Sequence, residues 1–227
     1  MDKFFDAYSV KVRLSSLLIL LGPAIIWALL FVEEIRNLSS LVFVSAVIYA
    51  VSMLLIVPLR KRANVVMKES FKELPTITFL SEQNLTVDEK TRLRYCTKLQ
   101  ELSGVNLIDS CKKDNYSSAL EWLKSNYHKS ERAHLVEEEN MSFGLICNLK
   151  GVKYLGIAMN IILLIITVVN YFLSGRQDLT THVIAGDVSI VFFCLWVFVV
   201  TKENLEYAAK KYAKALLSCI DSLEIEN

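Results

Sequence analysis

Asp187 is the residue of this sequence that most needs a chemical account. It lies in HVIAGDVSIVFFCLWVFVV, residues 182–200, an apolar run with no other charged side chain before Lys202. A carboxylate placed there either marks the surface of a membrane or lines a water-filled path through one. Cys194 and Thr201 follow at intervals of seven, which on a straight helix is the Asp187 face, with Val191 and Phe198 between them. Neighbouring runs carry comparable stripes: Asn160, Thr167 and Asn170 in one, Ser45, Tyr49 and Ser52 in another. Polar groups in hydrocarbon need partners or water. Asp187, Cys194, Thr201, Asn160, Thr167 and Asn170 are therefore candidate pore-lining residues. The alternative is that the Ser, Thr, Asn and Cys side chains simply hydrogen-bond between packed helices, and that Asp187 sits among headgroups.

A second set is basic. Arg92, Arg94 and Lys98, with Lys112 and Lys113 nearby in sequence, are interleaved with Tyr95, Tyr116, Trp122 and Tyr127. Cations that pair with phosphates beside rings that stack on bases are what a single-stranded nucleic acid or nucleotide ligand requires. Arg92, Arg94, Lys98 and Tyr95 are the candidate ligand residues. Glu89, Glu101, Asp109 and Asp114 intersperse them, and a solvated helix surface has the same composition.

Catalytic patterns do not emerge. The sequence has no Gly-rich phosphate loop, no G-x-S-x-G and no H-E-x-x-H. His128 and His134 are off the i, i+4 spacing of helical metal pairs, and Glu137–Glu139 reads as a hydrated helix face. No enzymatic activity, cofactor or metal is expected. The five cysteines, Cys96, Cys111, Cys147, Cys194 and Cys219, never fall in a C-x-x-C spacing, so neither disulfides nor zinc are expected.

The elements that must hold these residues are read from where the apolar residues sit. Hydrophobic residues make up 53% of the chain, with seven Gly and three Pro, a composition that favours helices. Leu14–Val32, Leu38–Leu59 and Tyr154–Gly175 are free of charge, and Leu179–Thr201 carries Asp187 with His182. Roughly 20 helical residues cross a hydrocarbon core about 30 Å thick, so all four runs are long enough. Counted from Lys202, Asp187 falls roughly 7–8 Å inside the far surface. The first run is too long for a signal peptide and leads into a second span.

The expected fold is an all-α membrane protein of two transmembrane hairpins (1–59 and 154–201) flanking a cytoplasmic helical insert (60–153), with a cytoplasmic tail helix (202–227). The net charge of +1 conceals an asymmetry. Arg36 and Arg176 are the basic residues of the two short connections, whereas Lys3, Lys11, Arg13, Arg60–Arg62, Lys150, Lys153 and Lys202 flank the other span ends. That places the insert and both termini in the cytoplasm. The sequons at Asn84, Asn115 and Asn140 fall on that same side.

Within the insert, the second span should continue as a helix towards Pro75, with Pro58 as a possible bend. PTITFLSEQNL reads as irregular or briefly extended. Thr86 with Glu89 forms a capping-box pattern opening a helix that Gly104 stops. Further helices are expected over about Tyr116–His128 and Glu131–Leu149, the last running on into the third span. The tail carries Leu205, Ala208, Tyr212, Ala215, Cys219 and Leu223 at helical spacing. That stripe needs the insert or another copy of itself as partner, and its small Ala positions lean to self-association.

Three stretches carry a family likeness: LPTITFLSEQNLTVDEKTRLRYCTKLQELSGV (74–105), SALEWLK (118–124) and EENMSFGLICNLKGVKYLG (138–156), set between the two hairpins. With them the chain resembles the membrane channel effectors of Hailong-type bacterial anti-phage defence systems. The resemblance implies a tetrameric inner-membrane channel. A partner nucleotidyltransferase would make short single-stranded oligodeoxyadenylate that holds it shut, and loss of that ligand during phage attack would open it. Two other readings stay open: an effector opened by a nucleotide signal, and a non-conducting scaffold that docks a soluble partner.

Overall fold

A computed structural model describes residues 12, 14–35, 37–81, 87–108, 113–176 and 178–223. Among these every regular element is helical: α1 (Ser15–Phe31), α2 (Leu38–Ser70), α3 (Pro75–Leu80), α4 (Glu89–Ser103), α5 (Lys113–Asn126), α6 (Ala133–Leu173), α7 (Leu179–Cys194) and α8 (Lys202–Ser218). A π-helical turn, Leu195–Val199, follows α7, and short 3-10 turns follow α5 and α8. The chain divides into two compact units. The first is Met1–Met67 with Gly144–Asn204, and the second is Lys68–Phe143 with Leu205–Asn227.

In the first unit, α6 (Ala133–Leu173) and the continuous helical stretch Leu179–Val199 are each long and apolar enough to cross a membrane. Helix α1 is apolar but 17 residues long, about 25 Å, a little short of a full crossing. Helix α1 packs on α7, where Gly22 lies against the Phe192 ring and Phe31 against His182. It also meets α6, through a hydrogen bond from Trp27 Nε1 to Thr167 Oγ1 of 3.0 Å. Gly151 of α6 lies close to α2: a Cβ there would come within 3.1 Å of the Arg62 Cβ and 3.2 Å of the Ala63 backbone nitrogen. Pro58 is accommodated inside α2, which ends at Ser70, before Pro75.

The second unit encloses a conventional core. Phe79 and Leu80 from α3, Cys96 and Leu99 from α4, Leu107, and Tyr116, Ala119, Leu120 and Leu123 from α5 pack together. The α5 residues follow the i, i+3, i+4, i+7 rhythm of one buried face. Three expectations need correction in this unit.

Residues 75–80 form a short helix, not an extended segment. Pro75 opens it with a pre-set φ and no amide to satisfy, and Phe79 and Leu80 drive it onto the core. Helix α4 starts at Glu89 with Asp88 as its cap, the carboxylate accepting from the Thr91 amide at 2.9 Å; Thr86 lies outside the described residues. Gly104 does end that helix, in the left-handed region at φ 71° that glycine adopts without strain.

The third correction concerns the tail. Ala213, Leu216, Leu217, Cys219, Ile220 and Leu223 join the same core, so the insert of the same chain packs on this part of the tail's apolar face. Leu205, Cys219 and Leu223 of the expected stripe are buried, and Ala209, Ala213, Leu216 and Leu217 extend the buried face to one side of it. Tyr212 is left at the edge, stacked on Phe143 at a centroid distance of 5.9 Å.

Candidate functional site

In the first unit the polar side chains of the apolar helices separate into inward and outward groups. Asn160 and Thr167 are buried, and Asn170 is half-buried. Asn160 Nδ2 donates to the Gly156 carbonyl at 2.7 Å, one turn back on its own helix. Thr167 Oγ1 donates to the Leu163 carbonyl at 2.8 Å while accepting from Trp27. Thr167 thus ties α6 to α1, whereas the Asn160 bond stays within α6. Asp187 points the other way. It is exposed, on a face where Val191 is 63% and Ile184 46% exposed.

Thr201 departs from that face. The π turn between Cys194 and Val200 is wider than an α turn, which breaks the seven-residue alignment on which the shared stripe depended. The Thr201 hydroxyl instead accepts from the Asn204 amide at 3.2 Å, capping α8. Cys194 remains half-buried above the turn, and Asp187, Cys194 and Thr201 do not form one continuous lining. On α2, Ser45 and Tyr49 are exposed, and the side chain of Ser52 lies outside those described.

The π turn itself is the most elaborated spot in the unit, and the spacing rules gave no warning of it. Trp196 is completely buried, with its indole lying on Gly156, where any Cβ would overlap the ring. Lys153 Nζ donates to the Val200 carbonyl at 2.8 Å and reaches Val197 O at 3.4 Å, and Asn204 Nδ2 donates to Val199 O at 2.7 Å. These bonds satisfy carbonyls at a point where the regular helical ladder ends. Burial first, then the charge of Lys150, lowers the Lys153 ammonium below the ordinary lysine range, with Glu203 opposing them. The Trp196 Nε1 donor and the Asn160 Oδ1 acceptor are buried without partners. The sequence signal for this node was Gly156, a lone glycine inside an apolar helical run that calls for close approach.

At the other end of α7, His182 is buried between Phe31 and Tyr171, at centroid distances of 4.9 and 5.3 Å. Its Nδ1 lies 2.8 Å from the Asp178 carbonyl, and its Nε2 is buried without a partner.

The basic set lies in the second unit, on α4. Arg94 is exposed, forms a 3.1 Å ion pair with Asp221 and lies over the Tyr95 ring at 5.3 Å. Lys98 Nζ donates to the Asp221 backbone carbonyl at 2.8 Å. Arg92 is half-buried, as is Tyr95, which packs against the core. Arg94 and Lys98 are therefore brought together, by the turn that follows α8. Lys113 opens α5, while Asp109 and Lys112 lie outside the described residues.

Cys96, Cys147, Cys194 and Cys219 are not joined in disulfides, and Cys111 lies outside the described residues. Among the described residues no three His, Cys, Asp or Glu side chains are grouped as metal ligands would be. No family model, curated protein or solved structure matches the chain.

Proposed function

We propose that the chain is one subunit of an oligomeric bacterial inner-membrane channel, an effector of anti-phage defence held closed by single-stranded oligodeoxyadenylate from a partner nucleotidyltransferase. In this reading the four apolar runs all span the bilayer, and the insert and both termini are cytoplasmic. The observation that carries it is Asp187, exposed on an outward face that is otherwise apolar. On insertion scales a carboxylate costs about 2.5–3.5 kcal/mol at mid-membrane and less towards the surface, where Asp187 is read to lie. The Asp187 face is relieved of that cost if water and neighbouring subunits cover it, which gives a cation-attracting mouth. The ligand is received by Arg92, Arg94, Lys98 and Tyr95. The exposed Arg94–Asp221 pair is weak enough for phosphates to displace it, since such pairs contribute about 0–1 kcal/mol.

Purified protein in vesicles is expected to conduct cations, to stop when oligodeoxyadenylate is added, and to resume after a nuclease is added. Asp187→Asn is expected to lower cation flux while leaving assembly intact. Wild-type flux and selectivity in that variant would return Asp187 to the role of an interfacial marker. Opening by the oligonucleotide would reverse the sign of regulation and favour an effector opened by its ligand.

A scaffold that docks a soluble partner is the second reading, and the burial of Asn160 and Thr167 within the chain favours it, since α6 then offers no polar stripe to a pore. Absence of flux from an intact oligomer would decide for the scaffold.

A further inference from the structure

Three helices of the first unit end or begin their apolar runs in basic residues that lie together. On α2, Leu59 and Ala63 are buried and anchor the inner face, while Arg60, Lys61 and Arg62 between them are exposed. The stem of Arg62 crosses α6 at Gly151, next in sequence to Lys150. Lys150 and Lys202 both act electrostatically on Glu203, so the start of α8 belongs to the same region. Lys153 adds a further positive charge, though its ammonium is committed to the Val200 carbonyl. Among the unit's described residues one carboxylate, Glu203, stands against these six cations; the unit's other described acids, Glu33, Glu34, Asp178 and Asp187, lie in or towards the connections at the opposite ends of these runs.

The collar borders an outward apolar surface. Val57, one turn before Arg60 and Lys61, is 73% exposed, and Tyr154, one turn after Lys150, is 84% exposed with Leu155 beside it. Tyrosine at such a boundary is the usual interfacial anchor. A nucleic acid would satisfy the cations and leave the apolar border bare. A ligand with an anionic head and hydrocarbon tails satisfies both.

We infer that Arg60, Lys61, Arg62 and Lys150 form a site for the phosphate headgroups of anionic phospholipids in the cytoplasmic leaflet, whose acyl chains lie along Val57, Tyr154 and Leu155. The inference rests on the membrane reading above. Clustered basic residues next to a span contribute about five-fold each in affinity for anionic lipid.

Native mass spectrometry of the detergent-solubilised full chain, titrated with phosphatidylglycerol or phosphatidylcholine, tests it. Phosphatidylglycerol is expected to bind in preference. The variant Arg60→Gln/Lys61→Gln/Arg62→Gln/Lys150→Gln is expected to lose at least about ten-fold in that affinity, with phosphatidylcholine occupancy unchanged. Arg60→Lys/Arg62→Lys, which keeps the charges, is expected to retain the preference. Equal binding of the two lipids by the wild-type protein overturns the inference without needing a variant. So does displacement of phosphatidylglycerol by millimolar inorganic phosphate, which would mark a site for free anions. A variant that loses oligodeoxyadenylate binding but keeps phosphatidylglycerol would assign the collar to nucleic acid and also overturn it. Failure of the wild-type chain to enter vesicles of any composition defeats the membrane reading itself, whereas entry without lipid preference defeats the lipid site alone.

Discussion

In the second unit Leu80, Leu99, Leu123 and Leu216 are fully enclosed, whereas in the first Leu155, Ile162, Ile165 and Phe172 stand exposed along α6. These side chains have the same chemistry and sit on equally regular helices, so the difference lies in what surrounds them. The second unit alternates apolar and charged positions and can hide one face from water with its own chain. The long charge-free runs of the first unit have no polar face to present. They turn many apolar residues outward, while burying polar groups such as Asn160, Thr167, His182 and Ser189 beside Leu20, Leu163 and Trp196. The same helix physics thus yields two arrangements, one suited to water and the other to hydrocarbon.

The sharpest break of this comparison is a cavity. Leu99→Ala removes a fully buried side chain from the second unit and is expected to cost about 2–5 kcal/mol. Ile165→Ala, at an exposed position of α6, is expected to change stability little in detergent. Thermal unfolding of the two purified variants checks the contrast, and equal losses would mean that Ile165 is enclosed by protein.

A charge tests what covers each surface. Ile165→Asp places a carboxylate on the outward face of α6 and is expected to cost about 3 kcal/mol in a bilayer. Leu93→Asp, at an exposed apolar site on α4, is expected to stay within about 0.5 kcal/mol of wild type. Membrane-fraction yield and thermal stability measure both. Tolerance of aspartate at 165 would show that water reaches that face.

A smaller effect is expected at the contact between α6 and the π turn. Gly156→Ala forces a methyl into the Trp196 indole, and overpacking of this kind costs about 1–3 kcal/mol. Trp196 fluorescence, in a Trp27→Phe/Trp122→Phe background, should report the displaced ring. Trp196→Leu combined with Gly156→Ala should recover part of the loss, because the smaller side chain vacates the methyl's space.

How much of this was legible depended on which unit a residue belongs to. The helical class, the Gly104 stop and the run of α6 through to Leu173 followed from propensity and charge placement. The polar stripes of the first unit did not separate, because a period in sequence says which residues share a face but not which face is inward. Asn160 and Asp187 look alike as polar interruptions, and packing sends one in and the other out. The heptad to Thr201 failed because spacing arguments assume a uniform turn, and the π turn is not one. The tail's stripe was legible in part: Leu205, Cys219 and Leu223 are buried, whereas Ala209 and Leu216 are buried ahead of Ala208 and Ala215, Leu216 by the core it enters.

The smallest expected effect lies at the entry of α4, in the second unit. Asp88 accepts from the Thr91 amide, and hydrogen bonds from the Thr91 side chain and backbone hold its carboxyl below the ordinary aspartate value. The ionised form is thus the one the fold prefers. A carboxyl with a lowered folded value contributes stability that is complete above its unfolded value, near pH 4, and lost as pH falls through the lower folded one. Asp88→Ala is accordingly expected to lower the melting temperature slightly at pH 7, and the difference between variant and wild type should shrink as pH falls below about 4. Asp88→Asn, which keeps an acceptor oxygen for the Thr91 amide, should fall between them at pH 7 and show no such pH dependence. Melting curves of the three proteins at the two pH values provide the check. If Asp88→Ala remains destabilised to the same degree at pH 3, the ionised carboxylate is not what holds this helix end.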